Sequence, residues 1–186
     1  RLGDHRINEL GDAMKVLGVT DWRLLGEPGK YRDSGMMGEP SNNRDGCCWQ
    51  ADPLQAAEGL VPTTRSPRPQ VLITYDDFGG YGHPDHIQAH RTAMYASQLA
   101  AAPTFRPDLG EAWDVPKIYW TAISKSMIRA GVEALRASGD TSEMAMMDPD
   151  GIPFGVDDEL VTTQIDGRDF LANKVGTVEQ WELFDN

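Results

Sequence analysis

Apolar residues early in the chain fall at Ile7, Leu10, Met14 and Leu17, offsets that place them on one face of a helix. Gly18 closes that helix, and Trp22 to Leu25 reads as a short strand. From Gly26 to about Gln50 periodicity gives way to Gly, Pro, Asn, Asp and Ser, the chemistry of turns. A connection that long in a compact domain is usually functional, which makes it a candidate binding loop. Asp52-Pro53 then opens a helix to about Gly59, with the aspartate as N-cap and the proline in the first turn. Val71, Leu72 and Ile73 form a continuous apolar run in the next strand, a pattern that suits a central parallel strand buried on both faces. A helix from Pro84 to about Ala101, a strand Lys117 to Ala122, a helix Ser126 to Ala137, a strand Leu160 to Ile165 and a helix after Asp166-Gly167 complete the series. Alternating strands and helices predict one α/β domain over residues 1–186 with a largely parallel sheet. Ligands of such sheets bind beyond the carboxyl ends of the strands.

Composition narrows the function classes. A chain of 186 residues buries enough surface to form a core without disulfides or a structural metal. Its net charge of -12, with no Lys/Arg-dense stripe, argues against nucleic acid or an anionic membrane as partner and suits a small neutral or cationic molecule. No run approaches the ~20 apolar residues of a membrane span. The two cysteines, Cys47 and Cys48, are adjacent, lack C-x-x-C spacing, and read as reduced thiols of a cytoplasmic protein. The chain starts at Arg1, without Met and almost inside a helical pattern, so it is expected to be a fragment or a processed piece. Sequence leaves open whether it forms a homo-oligomer.

Three of the four histidines lie in GGYGHPDHIQAH, Gly79 to His90, where the Val71 to Tyr75 strand ends. Pro84 fits the first position of a helix, which makes His83 the N-cap and puts Asp85 and His86 in the first turn, with Asp85 complementing the helix dipole. His86 and His90 share a helix face, but without the Glu of H-E-x-x-H that spacing is a weak metal signal, and His90 reads as an ordinary helix residue. A Gly-rich turn before two imidazoles and a carboxylate is a poor core and a good way to expose reactive groups. A catalytic zinc takes three protein ligands and leaves a position for water, so the cluster reads as half of a site. On residue type alone Arg6 and Asp33 read as surface charges. Met144, Met146 and Met147 read as loop or core filler, and Trp113, Tyr119 and Trp120 as packing around the adjacent strand.

The segment Y-D-x-x-G-G-Y-G-H-P-D-H, Tyr75 to His86, resembles the second motif of the LmbE-like zinc deacetylases. RLGDHRINEL, GKYRDSGMMG and VPKIYWTAIS resemble the branch of that family serving mycothiol biosynthesis, which holds a deacetylase of an N-acetylglucosaminyl-inositol and a mycothiol S-conjugate amidase. The resemblance runs from Arg1 to about Lys174 and implies a Rossmann-like, three-layer α/β fold with one divalent ion, zinc or iron, and a small sugar-inositol substrate. It implies His86 as a metal ligand, His83 as the histidine that stabilises the oxyanion and protonates the leaving amine, and Asp85 as the carboxylate that orients and tunes His83. It further implies Tyr81 as a mobile tyrosine on the tetrahedral intermediate, with Arg6 and Asp33 binding substrate. His90 matches no ligand of the family. Two departures stand out. The family's first motif, A-H-P-D-D-E, which ends the first strand and supplies further ligands and the general base, does not occur in the 186 residues, and GTVEQWELFDN diverges from the family's H-A-T-Q segment. A truncated, inactive chain follows as an expectation, with a carbohydrate-binding module as the alternative from another class.

Overall fold

The computed structural model describes residues 2–178. Arg1 and most of the divergent tail, residues 179–186, lie outside the described residues. The chain divides into two compact units, residues 1–29 with 163–186, and residues 30–162.

In the first unit α1, Leu2–Leu17, packs on α7, Leu171–Val178, and Asn173 Nδ2 donates to the Val16 carbonyl at 2.9 Å. The expected strand Trp22 to Leu25 does not form. Arg23 turns back on Asp21, at 3.0 and 3.1 Å to its two carboxylate oxygens, and the segment joins no ladder among the described residues. Strand propensity describes fit to a half-buried pleated surface, and without a neighbouring strand it is not expressed.

The second unit holds the sheet. Strand β1, Val71–Tyr75, pairs in parallel with β2, Lys117–Thr121, in the register Val71–Lys117 to Tyr75–Thr121. The α/β class and the parallel pairing are as expected; the sheet has two strands among the described residues. Helix α4, Pro84–Ala101, packs on β1, and α2, Pro53–Arg65, packs on α4. Trp120 meets α4, with Nε1 donating to Met94 Sδ at 3.4 Å and its ring edge-on to His90. The expectation that β1 is buried on both faces is not met, since Val71 and Tyr75 are exposed and Ile73 is 64% exposed. Leu72 and Thr74, which alternate with these residues along the strand, are half-buried.

Helix α2 runs six residues past the expected end at Gly59, through Pro62. Packing overrides the two breakers: Ala57 and Val61 are fully buried, and Arg65 at the last position is 3% exposed. After β2 come α5, Lys125–Ala137, and the short α6, Glu143–Met146. The expected strand Leu160 to Ile165 is replaced by a 3-10 turn, Asp158–Leu160, and irregular chain, with Ile165 82% exposed. The chain pairs earlier instead, in a single parallel bridge of Val156 with Ser124. Among the described residues no helix is long and apolar enough to cross a membrane.

Candidate active site

At the carboxyl end of β1 the chain makes the tight turn α3, Gly79–Gly82, before α4 begins. Gly79 is required there. Its φ is +70°, and a Cβ on it would stand 2.8 Å from the Ile87 nitrogen and 2.9 Å from His86 Cβ. Gly80 N–H donates to Asp76 Oδ1 at 2.6 Å, tying the turn to the residue after the strand. His83 is the N-cap of α4, as the position of Pro84 predicts, and its Nδ1 accepts from the Asp85 N–H at 3.2 Å.

The candidate binding loop is folded rather than open. Asn42 Nδ2 donates to the carbonyls of Ser34 and Met36 at 2.6 and 3.1 Å, and its Oδ1 accepts from Gly38 N–H at 2.8 Å. Gln88 on α4 holds the loop's far end through the carbonyls of Trp49 and Ala51 at 3.2 and 3.1 Å. Ser34 N–H donates to Asp85 Oδ2 at 3.0 Å, which brings the neighbouring Asp33 to the start of α4.

Five of the six residues singled out from the sequence, Asp33, Tyr81, His83, Asp85 and His86, fall in the second unit around this turn. One ligand atom from each of Asp33, His83 and Asp85 lies within 4.8 Å of the others, close enough to hold a metal ion, and Asp85 Oδ1 is buried without a hydrogen-bond partner. His86 is outside that trio but adjoins it, with its ring centroid 4.8 Å from that of His83. Tyr81 stands edge-on to both histidines, at 5.2 Å from His86 and 6.2 Å from His83. Arg6 belongs to the first unit, on α1, where its guanidinium meets Glu9 at 2.7 Å.

The partners of the two histidines fix different tautomers. His86 Nδ1 lies 3.1 Å from the Gly79 carbonyl, which can only accept, so Nδ1 is the donor, and in the neutral ring the lone pair is on Nε2. This is the usual support of a metal-bound imidazole. His83 Nδ1 accepts from a backbone N–H, so its proton sits on Nε2, which is then a donor. For His83 to bind an ion it would have to abandon its cap or become an imidazolate. The Asp33, His83 and Asp85 donors lie close enough for a cation, and Nε2 of the adjoining His86 is the ring nitrogen left open by the backbone contacts.

Cys48 lies beside the acidic pair. Burial first, then the charges of Asp85, Cys47 and Asp33, push its thiol up to about 11, and both cysteines are free, as expected. The sequence did not single out Ser34, Asn42, Gln88 or Tyr75. In a loop rich in turn residues nothing marks Ser34 and Asn42 as its hub, and Tyr75 reads as a strand end.

The model of the PIG-L family, described as GlcNAc-PI de-N-acetylase, matches residues 1–97. The chain belongs to this family. The PIG-L chain is 55% identical over 175 residues to the 1D-myo-inositol 2-acetamido-2-deoxy-alpha-D-glucopyranoside deacetylase of Geodermatophilus obscurus, covering 94% of this chain and 60% of that protein. It is 51% identical to the enzyme of that name from Streptomyces scabiei, over 95% of this chain and 56% of the relative. With that of Thermobispora bispora identity is 53%, over 93% and 56%. The chain thus spans little more than half the length of these relatives. The resemblance to LmbE-like deacetylases is borne out at the level of family.

Proposed function

We propose that the protein is a zinc-dependent N-deacetylase hydrolysing the acetamide of an N-acetylglucosaminyl-inositol, with release of acetate and the free amine. The observation that carries this is the pair of ring contacts, His86 Nδ1 at 3.1 Å from the Gly79 carbonyl and His83 Nδ1 at 3.2 Å from the Asp85 N–H, which leaves the two neighbouring rings different work for Nε2. The names of the relatives supply the substrate.

His86 would hold the zinc, with other ligands of the kind the family carries in A-H-P-D-D-E. When bound, zinc polarises the amide carbonyl and acidifies water. The rest is the work of this chain's side chains. Asp33, on a loop fixed by Ser34 and Asn42, accepts hydrogen bonds from hydroxyls of the sugar-inositol. His83 Nε2–H and the Tyr81 hydroxyl donate to the amide oxygen as it gains negative charge. The Asp85 carboxylate, within 4.8 Å of a His83 ring nitrogen, would stabilise the charged imidazole that passes its Nε2 proton to the leaving nitrogen, the second proton on Nδ1 then replacing the cap contact to the Asp85 N–H. The free thiols of Cys47 and Cys48 support a cytoplasmic location.

Acetate release and zinc content of the full-length protein test the assignment. His86→Ala should lose both. His83→Ala should keep zinc and lose about 10²- to 10³-fold in kcat, the usual cost of removing one oxyanion donor. Zinc lost from His83→Ala and retained by His86→Ala would move the cation to the Asp33, His83, Asp85 trio and overturn the reading. Preference for a mycothiol S-conjugate would mark an amidase, and sugar binding without zinc an inactive binding module.

A further inference from the structure

The ring of His86 is held from two directions. The hydrogen bond from Nδ1 to the Gly79 carbonyl fixes one point of the ring in its plane and leaves rotation about the Nδ1 to oxygen line free. The plane itself is set by Tyr75, whose ring lies parallel to the imidazole at 7°, with centroids 4.0 Å apart. Together the two contacts aim Nε2 in one direction.

Tyr75 is in turn anchored. It is the last residue of β1, in register with Thr121 of β2, and its carbonyl lies 2.9 Å from His90 Nδ1. His90 stands edge-on to Trp120 at 5.0 Å. Helix α4 therefore grips the end of β1 twice, one turn apart: His86 on the ring of Tyr75, His90 on its main chain. The His90 that matches no ligand has a place in this arrangement as the clamp.

We propose that Tyr75 is a positioning residue for the metal centre, a flat support that keeps the His86 ring turned so that Nε2 faces the cation. The proposal rests on His86 being a metal ligand, as argued above. The stack uses the ring of Tyr75 and not its hydroxyl, so Phe should replace it and an aliphatic residue should not. Groups that orient a ligating histidine typically change metal affinity about 10- to 100-fold when removed.

The test is zinc affinity of the full-length protein by competition with a chromophoric chelator, for wild type, Tyr75→Phe, Tyr75→Leu and Tyr75→Val. Leu keeps apolar bulk without a π face, and Val suits a strand should Leu fold poorly; circular dichroism selects the folded variant. Tyr75→Phe should match wild type within about twofold, and the aliphatic variant should bind about 10-fold or more weakly. A second readout is NMR of the metal-free protein, in which the His86 ring protons should lose their upfield ring-current shift in Tyr75→Leu and keep it in Tyr75→Phe. Equal affinity in wild type and a folded aliphatic variant overturns the proposal and leaves His86 as a ligand. Equal affinity in wild type and His86→Ala overturns both.

Discussion

The backbone N–H of Ser34 donates to Asp85 Oδ2 at 3.0 Å across 51 positions of sequence. Ser34 is fully buried and all of its polar groups are engaged: its hydroxyl accepts from Trp49 N–H at 2.9 Å, and its carbonyl accepts from Ser41 Oγ and Asn42 Nδ2. The residue next to Asp33 therefore has no freedom, and Asp33 inherits its place from Asp85. One carboxylate both seats the loop and faces His83, which couples loop order to the chemistry.

Asp85→Ala and Asp85→Asn should separate these roles. Alanine leaves the buried Ser34 N–H without a partner, at a cost of about 1–3 kcal/mol, or roughly 2–4 °C of melting temperature per kcal/mol in a chain of this size. Asparagine keeps an acceptor for Ser34 while removing the charge beside His83. Thermal unfolding should rank wild type and Asp85→Asn close together and Asp85→Ala below both. Deacetylation should show kcat reduced in both and KM raised chiefly in Asp85→Ala. Equal melting temperatures for all three would break the link between loop and carboxylate.

The parts legible in the sequence are those set by local rules. Asp52 caps α2, with its Oδ1 accepting from Leu54 N–H at 2.8 Å, and Pro84 fixes the start of α4, as their types predict. The two expected strands at Trp22 and Leu160 depended on neighbours that periodicity does not report. In the site, residue type pointed to His83 and His86, but the contacts that distinguish the two rings are to the Gly79 carbonyl and to an N–H one step inside the helix. Only the folded backbone brings those partners to the rings.

Arg65 shows the same limit and carries the next prediction. Its guanidinium is buried and its five N–H groups are shared among six main-chain carbonyls: Leu99, Ala100 and Ala102 at the end of α4, and Phe105, Arg106 and Gly110 in the loop beyond, at 2.8 to 3.1 Å. The negative end of the helix dipole and these carbonyls compensate the charge. Lysine offers three donors from one point and cannot reproduce the fork. Arg65→Lys should lower stability by about 3 kcal/mol in chemical denaturation with little effect on zinc affinity. A loss under 1 kcal/mol would show that water or lysine replaces the network freely.

Cys48 gives a pH-dependent prediction. Its thiol, pushed up from 9.0 to about 11 by burial and by the charges of Asp85, Cys47 and Asp33, stays protonated where an exposed cysteine begins to ionise. The folded-state value is the higher one, so any stability linked to this group is complete below pH 9 and declines as pH rises toward about 11. Thiolate is the reactive species, and two units of pKa leave about 100-fold less of it at pH 8. Iodoacetamide should therefore label Cys48 about 100-fold more slowly than the unfolded chain, with Cys47 protected separately by burial and by its Sγ contact to the Asn42 carbonyl at 3.3 Å. Asp33→Asn removes one of the charges that disfavour the thiolate, so it should speed labelling of Cys48 while circular dichroism stays unchanged. Labelling of wild-type Cys48 at the unfolded rate, read by mass spectrometry, would place the thiol away from the two carboxylates, and with it the loop that carries Asp33.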